Sequence, residues 1–141
     1  MVSMKEFVFR NQVDFADTDA GGIVHFTGFL RWVARAEGEW FKALGFHGFE
    51  RIPGGGYKGF PRVNVQCDYR SPVYPGDSYA VCLAPVKMGR TSFTYSFRVY
   101  RGDVDGQLAA EGSLTIVYAV ADRDGGFSLA PLPKELAALM E

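Results

Sequence analysis

Phe7, Phe9, Val13 and Phe15 recur at even spacing among polar residues, and a period of two predicts a strand from about Lys5 to Phe15 with one buried face. At Phe26 the period changes. Phe26, Phe29, Leu30, Val33, Ala36, Trp40, Phe41 and Leu44 recur at threes and fours, which predicts one helix over 26–44, about 28 Å long, with a broad apolar stripe. Arg31, Arg35, Glu39 and Lys42 fall on the opposite face, and Gly45 supplies a C-terminal cap. Beyond a glycine-rich loop, four further β-segments are expected at about Phe60 to Arg70, Ser78 to Met88, Ser92 to Arg101 and Gln107 to Ala121. They are punctuated by Tyr74-Pro75-Gly76-Asp77, Gly89-Arg90-Thr91, Asp105-Gly106 and Asp124-Gly125-Gly126, turn chemistry suited to tight antiparallel connections. Pro133 to Met140 reads as a short terminal helix. The order strand, long helix, strand run predicts an α+β fold in which one helix covers one antiparallel sheet. Such a layer leaves sheet edges and apolar surface open, so at least a dimer is expected.

Composition narrows the classes. At 141 residues, one domain spanning 1–141 is expected. Fifteen Lys and Arg balance sixteen Asp and Glu, so the chain lacks the positive field that holds nucleic acid. No apolar run approaches the span of a bilayer, and the start Met1-Val2-Ser3-Met4-Lys5-Glu6 lacks the apolar core of a secretion signal; no membrane association is expected, and the cytosol is the expected compartment. Cys67 and Cys82 stand singly, as reduced packing residues, and His25 and His47 do not match a metal-binding spacing, so neither a metal nor a cofactor is called for.

The chemistry concentrates in Asp17-Thr18-Asp19-Ala20-Gly21-Gly22-Ile23-Val24-His25-Phe26, where two carboxylates precede a glycine turn that opens into the long helix. Gly21 and Gly22 let the chain turn sharply and let a ligand approach the main chain. The first helical turn presents unpaired N–H groups at the positive end of the dipole. Aimed at a thioester carbonyl, the N–H of Phe26 would stabilise the developing oxyanion, and Asp19 would act as base or nucleophile. Asp ahead of a helix ordinarily caps it or forms a turn, so residue types alone leave both carboxylates open to a structural role.

That run, together with Phe29-Leu30-Arg31 and Ala34-Arg35-Ala36-Glu37, resembles the signature of the 4-hydroxybenzoyl-CoA thioesterase family. Asp68-Tyr69-Arg70-Ser71-Pro72, Pro75-Gly76-Asp77 and Gly89-Arg90-Thr91-Ser92-Phe93 resemble its later landmarks in the same order, so the similarity runs from about Phe9 to Tyr118. The resemblance implies a hot-dog fold, a curved antiparallel sheet wrapped around one helix, assembled as homodimers or homotetramers with active sites at the interface. It implies hydrolysis of acyl-CoA without a cofactor. The family's catalytic aspartate falls on Asp19, its oxyanion donor on the Phe26 N–H, and Gly22 sits in the turn between them. Its basic contacts to CoA phosphates fall near Arg90 and Thr91, with Lys87 beside them. His25 replaces a frequent aromatic and is a candidate polar contact or a structural residue. Glu37 is a reserve carboxylate, because a related branch carries its catalytic acid on this helix.

Two other readings follow from the same residues. A hydratase or dehydratase of acyl thioesters would use His25 paired with Asp19, and a non-catalytic acyl-CoA-binding protein would use neither. Gly54-Gly55-Gly56-Tyr57-Lys58-Gly59 satisfies a dinucleotide fingerprint in form only, since Phe60-Pro61 leads into a strand and no helix opens at the glycines; it is expected to be a flexible loop. Phe15, Phe26, Tyr57, Phe60 and Tyr69 are candidate lining for an aromatic pocket.

Overall fold

The computed structural model describes residues 5–140; Met1 to Met4, on which part of the secretion-signal expectation falls, and Glu141 lie outside the described residues. Helix α1 (Phe26–Leu44) has the bounds that the apolar period predicts, and Gly45 ends it by donating its N–H to the carbonyls of Lys42 and Phe41. Strands β1 (Phe7–Gln12), β4 (Arg62–Tyr69), β5 (Ser78–Met88), β6 (Ser92–Arg101) and β7 (Gln107–Val117) form one antiparallel sheet in the order β1-β5-β6-β7-β4. β5 and β6 begin and end where their flanking turns predict.

One face of this sheet closes over α1. Tyr79, Val81 and Leu83 of β5, Phe93, Tyr95, Phe97 and Val99 of β6 and Ile116 of β7 are buried against Phe29, Trp32, Val33, Ala36, Trp40 and Phe41 of the helix. Trp32 stacks on Tyr79 with ring centroids 3.7 Å apart, and Trp40 meets Phe93 and Tyr95 at 5.8 and 5.7 Å. Each such side chain contributes about 1.5–3 kcal/mol by leaving water, so the aromatic seam fixes the helix against the sheet. Arg31, Arg35, Glu39 and Lys42 are exposed, as expected. No helix among the described residues is long and apolar enough to cross a membrane.

Several elements differ from the sequence expectation. A second antiparallel sheet is present, ordered β2-β3-β8-β9 and built from three-residue strands: β2 (Phe49–Arg51), β3 (Tyr57–Gly59), β8 (Ala119–Ala121) and β9 (Phe127–Leu129). The expected last strand, Gln107 to Ala121, divides at Tyr118, whose N–H turns to the carbonyl of Thr91. The glycine-rich segment read as a flexible loop is the turn of the β2–β3 hairpin, closed by Ile52 N–H to Gly56 carbonyl at 3.1 Å. A Cβ on Gly56 would stand 2.2 Å from the Ala121 carbonyl, so close approach of backbone requires glycine there. The first strand stops at Gln12, and Phe15 enters a 3-10 turn, Phe15–Asp17. Helix α2 (Lys134–Ala137), followed by a 3-10 turn, fills the expected terminal helix.

Glu37 sits in the middle of α1 and is buried. Tyr95 Oη donates to its Oε1 at 2.8 Å, and the Arg62 guanidinium pairs with Oε2. Burial raises its carboxyl above the ordinary range, outweighing the opposing pull of Arg62 and of the two hydrogen bonds. A carboxyl whose folded pKa lies above its unfolded value holds its proton more tightly in the folded state, so its contribution to stability falls as pH rises from the ordinary Glu range toward the raised value. Denaturant unfolding from pH 4 to 7 is expected to show that decline in the parent protein, and Glu37→Gln is expected to flatten it.

Candidate active site

The approach to α1 is built by backbone. Thr18 and Val24 form an isolated antiparallel bridge, Asp19 N–H donates to the Ile23 carbonyl at 2.8 Å, and Gly22 N–H returns to the Asp19 carbonyl at 3.1 Å. Gly22 closes this loop at a φ of 83°, the left-handed region where a side chain is strained. Gly28 lets the loop lie against the helix, because a Cβ there would stand 2.9 Å from a Val24 methyl.

The two carboxylates have different surroundings. Asp17 Oδ2 accepts from the Asp14 N–H at 3.0 Å and from the Trp32 indole at 3.2 Å, and Oδ1 lies 3.4 Å from Arg31. Its oxygens are consumed in tying the 3-10 turn to the helix. Asp19 is exposed; its Oδ1 accepts the Gly21 N–H at 2.7 Å, and Oδ2 has no partner among the described residues. Asp17→Ala is therefore expected to cost about 1–3 kcal/mol through unpaired donors, read as a lowered melting temperature, whereas Asp19→Ala leaves the melting temperature near that of the parent.

His25 is the N-cap of α1. Its Nδ1 accepts the Thr27 N–H at 3.2 Å and lies 2.7 Å from the Thr27 hydroxyl, and its ring stacks on Phe26 at 4.6 Å. These contacts are structural, and none of them pairs His25 with Asp19, which the hydratase reading needs. Phe26 opens the helix, and its N–H meets no acceptor among the described residues. Its side chain is 61% exposed, unlike the rest of the apolar stripe, because it stands at the mouth of a cleft.

That cleft, of about 520 Å³, is lined by Asp19, Ile23, Phe26, Phe29, Tyr69 and the chain from Arg70 to Pro72. Tyr69 donates its hydroxyl to the Phe26 carbonyl at 2.9 Å and packs edge-on against Phe26 and Phe29. Burial and the Cys67 thiol push the Tyr69 hydroxyl up to about 12, so it remains a donor at neutral pH. Tyr69 thereby fixes the last strand of the cleft to the helix start. A small apolar cavity with a carboxylate oxygen and a main-chain donor that are unpaired among the described residues can hold a carbonyl compound and stabilise charge on its oxygen.

The other anticipated residues lie elsewhere. Lys87, Arg90 and Thr91 belong to the β5–β6 hairpin, whose turn is held by Tyr118 N–H to the Thr91 carbonyl and Leu132 N–H to the Arg90 carbonyl. Asp19 follows β1, which joins the start of β5 at Gln12 and Ser78; the hairpin turn lies at the far end of β5, about 33 Å away along the strand. Glu37 is engaged by Arg62 and Tyr95 and does not line the cleft. Of the aromatic candidates, Phe26 and Tyr69 line the cleft, Tyr57 and Phe60 line a separate trough, and Phe15 is exposed on neither. Tyr69 as a clamp and Arg62 as the partner of Glu37 carry no local sequence signal, since both act across segments distant in the chain. No group of three His, Cys, Asp or Glu among the described residues is arranged to hold a metal ion.

Comparison with known proteins follows the same lines. The family model for the thioesterase-like superfamily matches residues 13–140. A 1,4-dihydroxy-2-naphthoyl-CoA hydrolase of Synechococcus sp. (strain CC9605) is 34% identical over 106 residues, covering 72% of this chain and 69% of that protein. Among solved structures, a 1,4-dihydroxy-2-naphthoyl-CoA thioesterase from Synechocystis superimposes with a TM-score of 0.78 at 23% identity over 96% of this chain and 95% of that one. The 4-hydroxybenzoyl-CoA thioesterase from Pseudomonas sp. strain CBS-3 gives 0.78 at 19% identity over 95% and 98%. These two neighbours establish the hot-dog fold.

Proposed function

The chain belongs to the thioesterase-like superfamily and is an acyl-CoA thioesterase, and we propose that its reaction centre is the cleft between Asp19 and the start of α1. The observation that carries this reading is the pairing, in one cleft, of a carboxylate oxygen and a helix N-terminal N–H that both lack a partner among the described residues. The thioester carbonyl lies against the Phe26 N–H, and Asp19 stands on the other side of the carbonyl carbon. Asp19 either attacks that carbon, forming a mixed anhydride that water then hydrolyses, or takes a proton from the water that attacks. In both routes negative charge gathers on the carbonyl oxygen and is held by the Phe26 N–H, the C–S bond breaks, and CoA leaves as a thiol once protonated. Asp17 and His25 position this centre through the turn and the helix cap. An aromatic acyl group is the favoured substrate class, supported by the named activity of the Synechococcus relative.

The working unit is at least a dimer joined through β4. β4 is an edge strand of the main sheet, and Val63, Val65 and Tyr69 on it are exposed. An open edge of this kind, with its apolar side chains uncovered, is a template for pairing with another strand. A twofold axis through the middle of β4 reverses the second copy, so its Arg90 hairpin approaches the first copy's Asp19 cleft. That supports Arg90 and Thr91, with Lys87, as contacts for CoA phosphates, although within one copy they lie far from Asp19. Asp19→Asn, read by thiol release from acyl-CoA, is the test of this centre, with loss of turnover in a folded protein as the expected result.

A further inference from the structure

The peptide that joins His25 to Phe26 is bracketed by two hydrogen bonds to one distant segment. Val24 N–H donates to the Val73 carbonyl at 2.8 Å, and the Tyr69 hydroxyl donates to the Phe26 carbonyl at 2.9 Å. The donors on either side of that peptide are all taken: the His25 N–H by the Asp17 carbonyl at 2.8 Å, the Thr27 N–H by His25 Nδ1 at 3.2 Å and the Gly28 N–H by the His25 carbonyl at 2.8 Å. Of residues 25–28, Phe26 alone keeps an N–H with no acceptor among the described residues. The first turn of a helix has no internal partners for its N–H groups, so a donor there keeps one direction only when the groups around it are held from outside.

Tyr69 supplies the only side chain in this bracket. It ends β4, and the chain just beyond it is anchored to β7: the Arg70 and Ser71 N–H groups share the Ala109 carbonyl at 2.8 and 3.2 Å, and the Ser71 hydroxyl donates to the Leu108 carbonyl at 2.8 Å. The ring is braced edge-on against Phe29, with centroids 5.5 Å apart, and against Phe26, at 6.5 Å. The hydroxyl therefore reaches the helix from a rigid support. Holding the Val24 N–H on one side and the Phe26 carbonyl on the other limits rotation of the rigid peptide plane between them, and with it the direction of the Phe26 N–H.

We infer that Tyr69 is a positioning residue of the thioesterase reaction, its hydroxyl acting through the Phe26 carbonyl to keep the Phe26 N–H aimed at the developing oxyanion. The inference rests on the cleft being the reaction centre, and adds to it a side chain from outside the helix and its leading loop. A small misalignment weakens a hydrogen bond to developing charge more than it weakens binding of the uncharged carbonyl, so the effect belongs to the chemical step. A ring that only filled space would serve equally as Phe.

Tyr69→Phe removes the hydroxyl and keeps the ring. With whichever of benzoyl-CoA and acetyl-CoA the parent cleaves faster, and thiol release as readout, kcat is expected to fall about 10-fold while KM stays within about 2-fold of the parent. The melting temperature and the mass by light scattering are expected to stay at parental values. The second arm places a fluorinated tyrosine at position 69, which keeps the ring, the hydroxyl and the bond but makes the phenol more acidic. Burial and the Cys67 thiol push the parental hydroxyl up to about 12, so this group costs the parent no activity at moderately alkaline pH. The fluorinated protein is expected to lose kcat there with KM unmoved, because an ionised phenol cannot donate to a carbonyl. A parental kcat in Tyr69→Phe, a loss carried by KM, a loss that comes with altered mass, or a pH profile unmoved by fluorination overturns the role given to Tyr69, while the reaction centre stands as long as Asp19→Asn is inactive. Full turnover in Asp19→Asn, or failure of the parent to cleave either probe, overturns both.

Discussion

Asp19→Asn is expected to lower acyl-CoA turnover at least ~100-fold, the size typical of removing a general base, with the melting temperature close to that of the parent. Asn keeps the shape and can still accept the Gly21 N–H that now binds Oδ1 at 2.7 Å, so the loop is preserved. What is lost is the carboxylate charge, one of whose oxygens has no partner among the described residues. Thiol release measured under saturating substrate separates this from weaker binding: the loss falls on kcat. A comparable loss in Asp17→Asn with Asp19→Asn fully active would reverse the roles given to the two carboxylates.

The second large effect concerns the open edge. If the proposed β4 dimer is the working unit, Val65→Asp is expected to yield a monomer and to reduce turnover at least ~100-fold, because each cleft then loses what the neighbouring copy supplies. Position 65 lies near the middle of β4, where a twofold axis brings the two introduced carboxylates together, and like charges at opposed strand positions repel. Val65 is already exposed in the single chain, so the fold has little to lose. Light scattering alongside kinetics checks both parts, and a fully active monomer would contradict the shared site.

Much of this arrangement was legible in local pattern. The helix bounds followed from apolar residues three and four apart and from Gly45, and β5 and β6 followed from the strong turns that bound them; both are local signals. The small sheet was not legible, because strands of three residues cannot display a period and its face is aromatic on the outside, where alternation normally marks burial. The glycines at 54–56 read as flexibility, yet they serve a tight hairpin in which backbone presses on backbone. Asp19 was separable from Asp17 only through family resemblance at the sequence level; in the structure the distinction rests on the indole of Trp32 and the N–H of Asp14, which occupy Asp17. Glu37 is legible in the sequence only as a reserve carboxylate on the helix, because its burial depends on Tyr95 and Arg62, which reach it from two strands distant in the chain.

These placements make chemical sense together. A rigid aromatic seam holds α1, a left-handed glycine turn brings Asp19 back beside the helix start, and Tyr69 fastens the far wall of the cleft. On the proposed reading, catalytic geometry is set by elements whose own stability does not depend on Asp19, which leaves its carboxylate available for reaction.

The most direct measurement is a crystal structure of the Asp19→Asn protein holding an intact acyl-CoA. The thioester oxygen is expected at about 2.7–3.1 Å from the Phe26 nitrogen, with the residue 19 side chain on the opposite side of the carbonyl carbon. A thioester bound with its carbonyl away from the start of α1, or with residue 19 turned to bulk solvent, would contradict the assignment.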